Sequence, residues 1–240
     1  MSLFSLSGGL FYHLKALRYR SSLWAPFRRH VAAWLETALS PSEQLVLVGP
    51  SAGHCLPLAH LERFHDLFVL EPDPLARQLL RAQLGRPRMT FEHRDLLVEP
   101  LLAGREGLAT LLERLPRASL LFCDLLGQVQ LELSDTRQQR FQLEFRRQIL
   151  PLLSKRRWAS FHDRWSLDRL PGDPEPPSRV DFPRAVGDDE LGTALFGCQG
   201  RQIAVLDHGT RELFPELLPR RYFTWQITPR ALHIVEAVSG

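Results

Sequence analysis

Residues 44–80 read QLVLVGPSAGHCLPLAHLERFHDLFVLEPDPLARQLL, and their order of apolar runs, glycines and acids decides the fold. The run 45–48 is short, partly β-branched and closed by a turn signal, as a buried strand of a parallel sheet is. Gly49 and Gly53 bracket the turn, where the lack of a side chain lets the backbone take unusual dihedrals and approach a ligand. A helix is expected over 55–64, its N-terminal amides aimed at that ligand. The run 67–70 predicts a second strand with Glu71 at its carboxyl end, from which a carboxylate accepts the two hydroxyl protons of a ribose. Asp73 is a good N-cap and Pro74 suits a first helical position, so capping leaves Glu71 free.

Downstream the same alternation continues. A helix over 73–84 leads to a third strand near 89–93, with Asp95 just beyond it. A helical stretch at 101–115 is interrupted by Gly104 and Gly107. A fourth strand at 118–123 ends at Asp124, a helix follows over 136–150, and a fifth strand at 158–162 delivers His162 and Asp163 to the same sheet edge. Residues 170–178 are too rich in proline for a helix or a central strand. Three strand-like runs remain, at 203–206, 222–227 and 231–238, for what reads as a terminal antiparallel pair.

The turn GPSAGH, residues 49–54, separates two nucleotide-binding patterns. A dinucleotide fingerprint places glycine first, third and sixth; here glycines fall first and fifth, with Ser51 third. The series resembles the class I S-adenosylmethionine-dependent methyltransferases over roughly residues 44–166. Gly49 and Gly53 match the outer positions of that family's glycine-x-glycine-x-glycine turn, while Ser51 replaces the middle glycine and Leu47 stands where an acid is frequent. Glu71 matches the ribose ligand, Asp95 the acid facing the adenine amine, and residues 122–124, ending in Asp124, those beside the methyl group. The resemblance implies a doubly wound, mostly parallel Rossmann-like α/β sheet with a C-terminal antiparallel pair. It also implies S-adenosylmethionine as cofactor, held by Gly49, Ser51, Gly53, Glu71 and Asp95.

Methyl transfer is an in-line displacement that needs the acceptor held near the methyl carbon and, for hydroxyl or protonated nitrogen acceptors, a base. Asp124, Gln128, His162, Asp163, Asp207 and His208 are the polar candidates. His162 is chosen as base because an imidazole titrates near neutrality, with Asp124 beside it. The acceptor class is a small molecule or a peptide. Two other readings stay open. The missing glycine and the Leu47 departure suit a catalytically inactive, methyltransferase-like binding or scaffold subunit. The letters of residues 49–53 also match the glycine-x-serine-x-glycine elbow of a serine hydrolase, with Ser51 as nucleophile and His208 with Asp163 or Asp207 as partners. The pairs His162-Asp163 and Asp207-His208 are weak metal candidates, because neighbouring residues on a strand point to opposite faces, and no metal is assigned.

With 240 residues and 44% hydrophobic content the chain has enough material for one sizeable core. Two parts are expected, a helical extension over 1–40 and a methyltransferase-like α/β domain over 41–240. In the extension, Leu10, Leu14, Leu17, Trp24, Phe27, Val31, Trp34, Leu35 and Leu39 recur at three- and four-residue steps, and Pro26 divides two helices. The periodicity favours packing on the sheet over a membrane-surface or partner helix, though a protein partner there stays open; by resemblance, such an extension covers the substrate. The three cysteines, Cys55, Cys123 and Cys198, suggest neither disulfides nor a zinc site, which points to the cytoplasm, and no apolar run is long enough to span a bilayer. A net charge of +3 comes with scattered arginine clusters, which argue against a nucleic-acid track.

Overall fold

The computed structural model describes residues 10–84, 88–105, 107–169, 172–173, 175–197 and 204–240. Five parallel strands come first: β1 (Gln44–Val48), β2 (Asp66–Leu70), β3 (Met89–Glu92), β4 (Ser119–Cys123) and β5 (Trp158–Asp168). After them come β6 (Arg179–Phe182), the two-residue β7 (Leu206–Asp207), β8 (Arg220–Gln226) and β9 (Ala231–Ser239). The sheet order is β3-β2-β1-β4-β5-β9-β8-β6, with β7 paired to β5. β1 lies parallel to both β2 and β4, so the chain winds outward in both directions from it. β9 inserts antiparallel between β5 and β8, which is the terminal antiparallel pair. Order reverses at the β1–β4 boundary, and ligands of open α/β sheets bind in the crevice outside the strand ends at that point.

Alternating side chains of β1 and β4 divide the core into two layers. Leu45, Leu47, Leu121 and Cys123 face one side, with Phe161 of β5 and Val235 of β9. That side is covered by α1 (Leu10–Tyr19), α2 (Ala25–Ala38), α3 (Leu58–Leu61) and α4 (Pro74–Leu84). Val46, Val48, Leu120 and Phe122 face the other. There α5 (Val98–Ala103), α6 (Leu108–Arg114), α7 (Leu126–Glu132), α8 (Asp135–Glu144), a π-helical turn (Phe145–Ile149) and α9 (Leu150–Leu153) pack. A smaller cluster joins the far end of β5 to α10 (Asp188–Phe196) through Trp165, Leu191 and Leu195.

α2 follows its sequence pattern: Pro26 sits in its first turn, and Phe27, Val31, Trp34 and Leu35 are buried. Phe27 stacks on Trp225 of β8 with centroids 4.7 Å apart, and the Trp24 indole donates to the Ile227 carbonyl at 3.0 Å. α1 corrects the expected apolar stripe. Leu14 and Leu17 are exposed, whereas His13 and Ala16 are buried, because α1 packs over a polar crevice and turns its mixed face inward.

Other elements differ from expectation for identifiable reasons. The helix expected at 55–64 is reduced to the single turn α3. Pro57 disfavours helical dihedrals at Leu56 and so bars an earlier start, and no long helix points at the turn. The helix expected at 101–115 is split into α5 and α6, with Gly104 left-handed at φ 64. The helix expected at 136–150 starts one residue earlier as α8, and α7 precedes it unforeseen. β5 runs on past His162 to Asp168, crossing a bulge between Asp163 and Trp165, so His162 and Asp163 lie within the strand. The run 203–206 does not compete for the terminal pair, since β7 only edges the extension of β5; Ile203 and Cys198 lie outside the described residues. No helix among the described residues is long and apolar enough to cross a membrane.

Candidate active site

A cleft of ≈ 870 Å³ opens at the β1–β4 strand ends. Its lining includes Gly49, Ser51, Glu71, Asp95 and Asp124, which come from four separate strand ends. Gly53 and His162 are not part of it.

The turn after β1 is strained where the sequence pattern wanted glycine. Gly49, Ser51 and Gly53 have φ of 65, 49 and 73, so Ser51 keeps the left-handed conformation of the glycine it replaces. A Cβ on Gly49 would come within 2.8 Å of the Leu125 Cβ, and only glycine fits there. Gly53 instead serves packing, its Cα facing Leu80 of α4. The Ser51 amide donates to Glu71 Oε2 at 2.8 Å and the Asp73 amide to Oε1 at 3.0 Å. Glu71 thus locks the turn to the end of β2. Burial raises its pKa, opposed by these two amide bonds. A carboxylate has about four acceptor positions, so two remain. Asp73 caps α4 through the Leu75 amide at 2.8 Å, as the sequence implied.

Asp95 also has a local task. Its Oδ1 accepts from the Leu97 and Val98 amides at 2.8 and 2.9 Å, and Oδ2 from the Glu99 amide at 2.8 Å. It starts α5 and keeps one acceptor position, on Oδ2. Beside it, Arg94 and Arg137 line the cleft and are ion-paired with Glu92 and Glu99 at 2.8 and 2.6 Å.

The other end of the cleft is assembled from distant segments. Tyr12 of α1, Cys55, Cys123, Asp124, Gln128 and Phe161 line it. The Tyr12 hydroxyl lies 3.3 Å from Cys55 Sγ. Behind them Asp163 is fully buried, accepting from Gln128 Nε2 at 2.6 Å and lying 2.9 Å from His233 Nδ1. Asp124 adopts φ 54, its Oδ1 is buried without a partner, and its carboxyl receives the Asp163 amide. The two carboxyls are pushed apart. Burial and then the Asp163 charge raise Asp124 far above the carboxylate range. Burial opposes ionisation of Asp163 too, but His233, His208 and Gln128 outweigh it and lower its pKa. Asp163 is therefore the anion and Asp124 the neutral acid. Burial likewise raises Tyr12, Cys55 and Cys123, which keeps all three protonated.

His162 is corrected as the base. It is fully buried on the opposite face of the sheet, its Nδ1 2.9 Å from Ser160 Oγ and its ring stacked on Phe214 at 5.5 Å. Burial, reinforced by Arg220, lowers its pKa to about 3. Strand alternation explains the miss: Phe161 faces the cleft, so its neighbour cannot. Tyr12, Cys55 and His233 were not foreseen as site residues, and no local motif marks them. Among the described residues no group of three or more His, Cys, Asp or Glu side chains could hold a metal ion.

The glycine turn, the acids at the ends of β2 and β3, and the terminal antiparallel pair complete the arrangement that the resemblance implied. The fold is a Rossmann-like methyltransferase fold. No protein-family model and no curated protein sequence matches the chain. Among solved structures it is similar to a SAM-dependent methyltransferase from Anabaena variabilis, at 12% identity over 98% of both chains with a TM-score of 0.47. It is similar to the DhpI-SAM-HEP complex, at 14% identity over 96% of this chain and 94% of that one, TM-score 0.42. A third is the N-methyltransferase NodS from Bradyrhizobium japonicum, at 10% identity over 90% and 97%, TM-score 0.44. At these identities and scores, no substrate and no residue role passes from those proteins to this one.

Proposed function

We propose that this protein is an S-adenosylmethionine-dependent methyltransferase acting on a small molecule. The observation that carries the reading is the convergence of Gly49, Ser51, Glu71, Asp95 and Asp124 on one cleft at the sheet's reversal point. Two features of the cleft fit the cofactor. The left-handed turn at Gly49 and Ser51 brings backbone to the cleft wall, and the volume lies within the about 300–1,000 Å³ of small-molecule sites. The cofactor supplies an electrophilic methyl group on a cationic sulfur. Glu71 would accept the ribose hydroxyls on its two remaining acceptor positions, and Asp95 Oδ2 the adenine amine. Tyr12, Asp124, Gln128 and Phe161 form the acceptor end, with α1 excluding water over it. Enclosure there orients the acceptor for in-line attack, which is where most of the rate is gained.

The serine hydrolase reading loses its histidine, because His208 Nε2 is bound to Ser166 Oγ at 3.0 Å. Peptide acceptors and a partner on the N-terminal helices have no observation favouring them over a small molecule. Two members of the arginine clusters are taken up internally: Arg220 is buried against Glu236 at 2.7 Å, and Arg156 is spent on the Leu112 and Leu115 carbonyls. The test is thermal unfolding with S-adenosylhomocysteine. Ligand at about a hundred times its Kd adds roughly 2.7 kcal/mol and should raise Tm by several degrees. A shift with nicotinamide dinucleotide and none with S-adenosylhomocysteine would refute the reading.

A further inference from the structure

The acceptor end of the cleft holds a carboxyl pair that the cofactor does not need. Asp124 stands on the lining with a buried, unpartnered Oδ1, and Asp163 stands behind it with its oxygens on Gln128 and His233. The aromatic side chains Tyr12 and Phe161 also line this end. The arginines that line the cleft belong to its other wall and are already paired with carboxylates. Carboxyl groups and aromatic faces without a lysine or arginine are the surroundings that hold an organic ammonium ion.

We infer that the methyl acceptor is an amine, captured as its ammonium ion against Asp124, with Asp163 the positioning residue that keeps the pair at one negative charge. The inference rests on the methyltransferase reading and specifies its substrate class. The protonation states support it, since the empty site has Asp124 neutral and Asp163 ionised. The ammonium ion displaces the Asp124 proton to solvent on binding. It then returns one of its own protons to the Asp124 carboxylate, which frees the nitrogen lone pair. The N–C bond forms as the S–C bond of the donor breaks, leaving a methylammonium product, a neutral thioether and Asp124 protonated as at the start. One proton is released per turnover. A hydroxyl acceptor fits poorly, because it brings no charge to ionise Asp124 and the ionised Asp163 beside it is enclosed behind Gln128. The groups that set this balance are Tyr12, Cys55, Cys123, Asp124, Asp163, His208 and His233.

The full chain saturated with S-adenosylhomocysteine is titrated with benzylamine and benzyl alcohol, and with tyramine and its hydroxyl analogue, by calorimetry in buffers of different ionisation enthalpy. The amines should bind at least tenfold tighter than the alcohols, with close to one proton released and affinity rising about tenfold per pH unit below neutrality. Asp124→Asn should abolish the proton release and weaken the amines at least tenfold, while S-adenosylhomocysteine binds within about twofold of the parent. Equal binding of amine and alcohol, no binding of either, or amine binding without proton release would overturn the inference while the cofactor reading stands. If S-adenosylhomocysteine itself does not bind, the cofactor reading falls and this inference falls with it.

Discussion

The two halves of the cleft are built in opposite ways. On the β1–β3 side, the two carboxylates Glu71 and Asp95 are tied to backbone close by in sequence or in the adjacent strand. Glu71 holds the Ser51 and Asp73 amides, and Asp95 holds three amides of the turn into α5. On the β4–β5 side, contacts link residues far apart: Tyr12 to Cys55, Gln128 to Asp163, Asp163 to His233. The first half is a set of turns that also form a binding surface. The second depends on the whole sheet and on α1 being in place, so damage to it should appear as lost stability as well as lost chemistry.

The sharpest way to break this contrast is Asp163→Ala, which takes away the acceptor of Gln128 Nε2 and the partner of His233 Nδ1, both on half-buried side chains. Hydrogen bonds to a charged group contribute about 1.5–3 kcal/mol each and two contacts are lost, so chemical denaturation should show a loss of about 3–5 kcal/mol. A loss below about 1 kcal/mol would mean that the acceptor half is not set by this carboxylate. Gly49→Ala is next. It combines a left-handed φ with a Cβ 2.8 Å from Leu125, and overpacking with that backbone strain predicts a loss of about 2–4 kcal/mol together with loss of S-adenosylhomocysteine binding.

The anchorage of α1 gives a pH test. His13 Nδ1 and His54 Nε2 are 3.1 Å apart and buried, and burial followed by the His13 charge lowers His54 from 6.5 to about 4. A base whose folded pKa is depressed favours the folded state while neutral. The contribution is therefore complete above pH 6.5 and is lost as pH falls toward 4. Tm measured across that window should fall more steeply in the parent than in His54→Gln; parallel curves would remove the pair from the anchorage. The smallest effect is expected for Ser51→Gly. Relief of the left-handed strain, less the added chain entropy, should stabilise by about 0.5–1 kcal/mol, read as a small rise in denaturation midpoint.

The same contrast explains how much was legible in the sequence. Strands β1 to β4, the cap at Asp73, the breaks at Gly104 and Gly107, and the positions of Glu71 and Asp95 are written in local patterns of turn residues and apolar runs. The short α3 was also readable, since Pro57 was in plain view, but the apolar run through Leu58 and Leu61 obscured it. His162 was misplaced because period-2 alternation gives two faces, and sequence does not say which one meets the cleft until the register with β4 and β9 is known. Tyr12 and His233 had no signal at all. They lie more than a hundred residues from Asp124 in opposite directions along the chain, and only the insertion of β9 beside β5 and the folding of α1 over the strand ends bring them near.

The most direct test of the division is calorimetric titration of S-adenosylhomocysteine into the parent protein, Glu71→Gln and Asp124→Asn. Glu71→Gln should weaken binding about tenfold, or ~1.4 kcal/mol, and Asp124→Asn by less than about twofold. Binding left intact by Glu71→Gln and abolished by Asp124→Asn would place the nucleoside at the wrong end of the cleft and contradict the account.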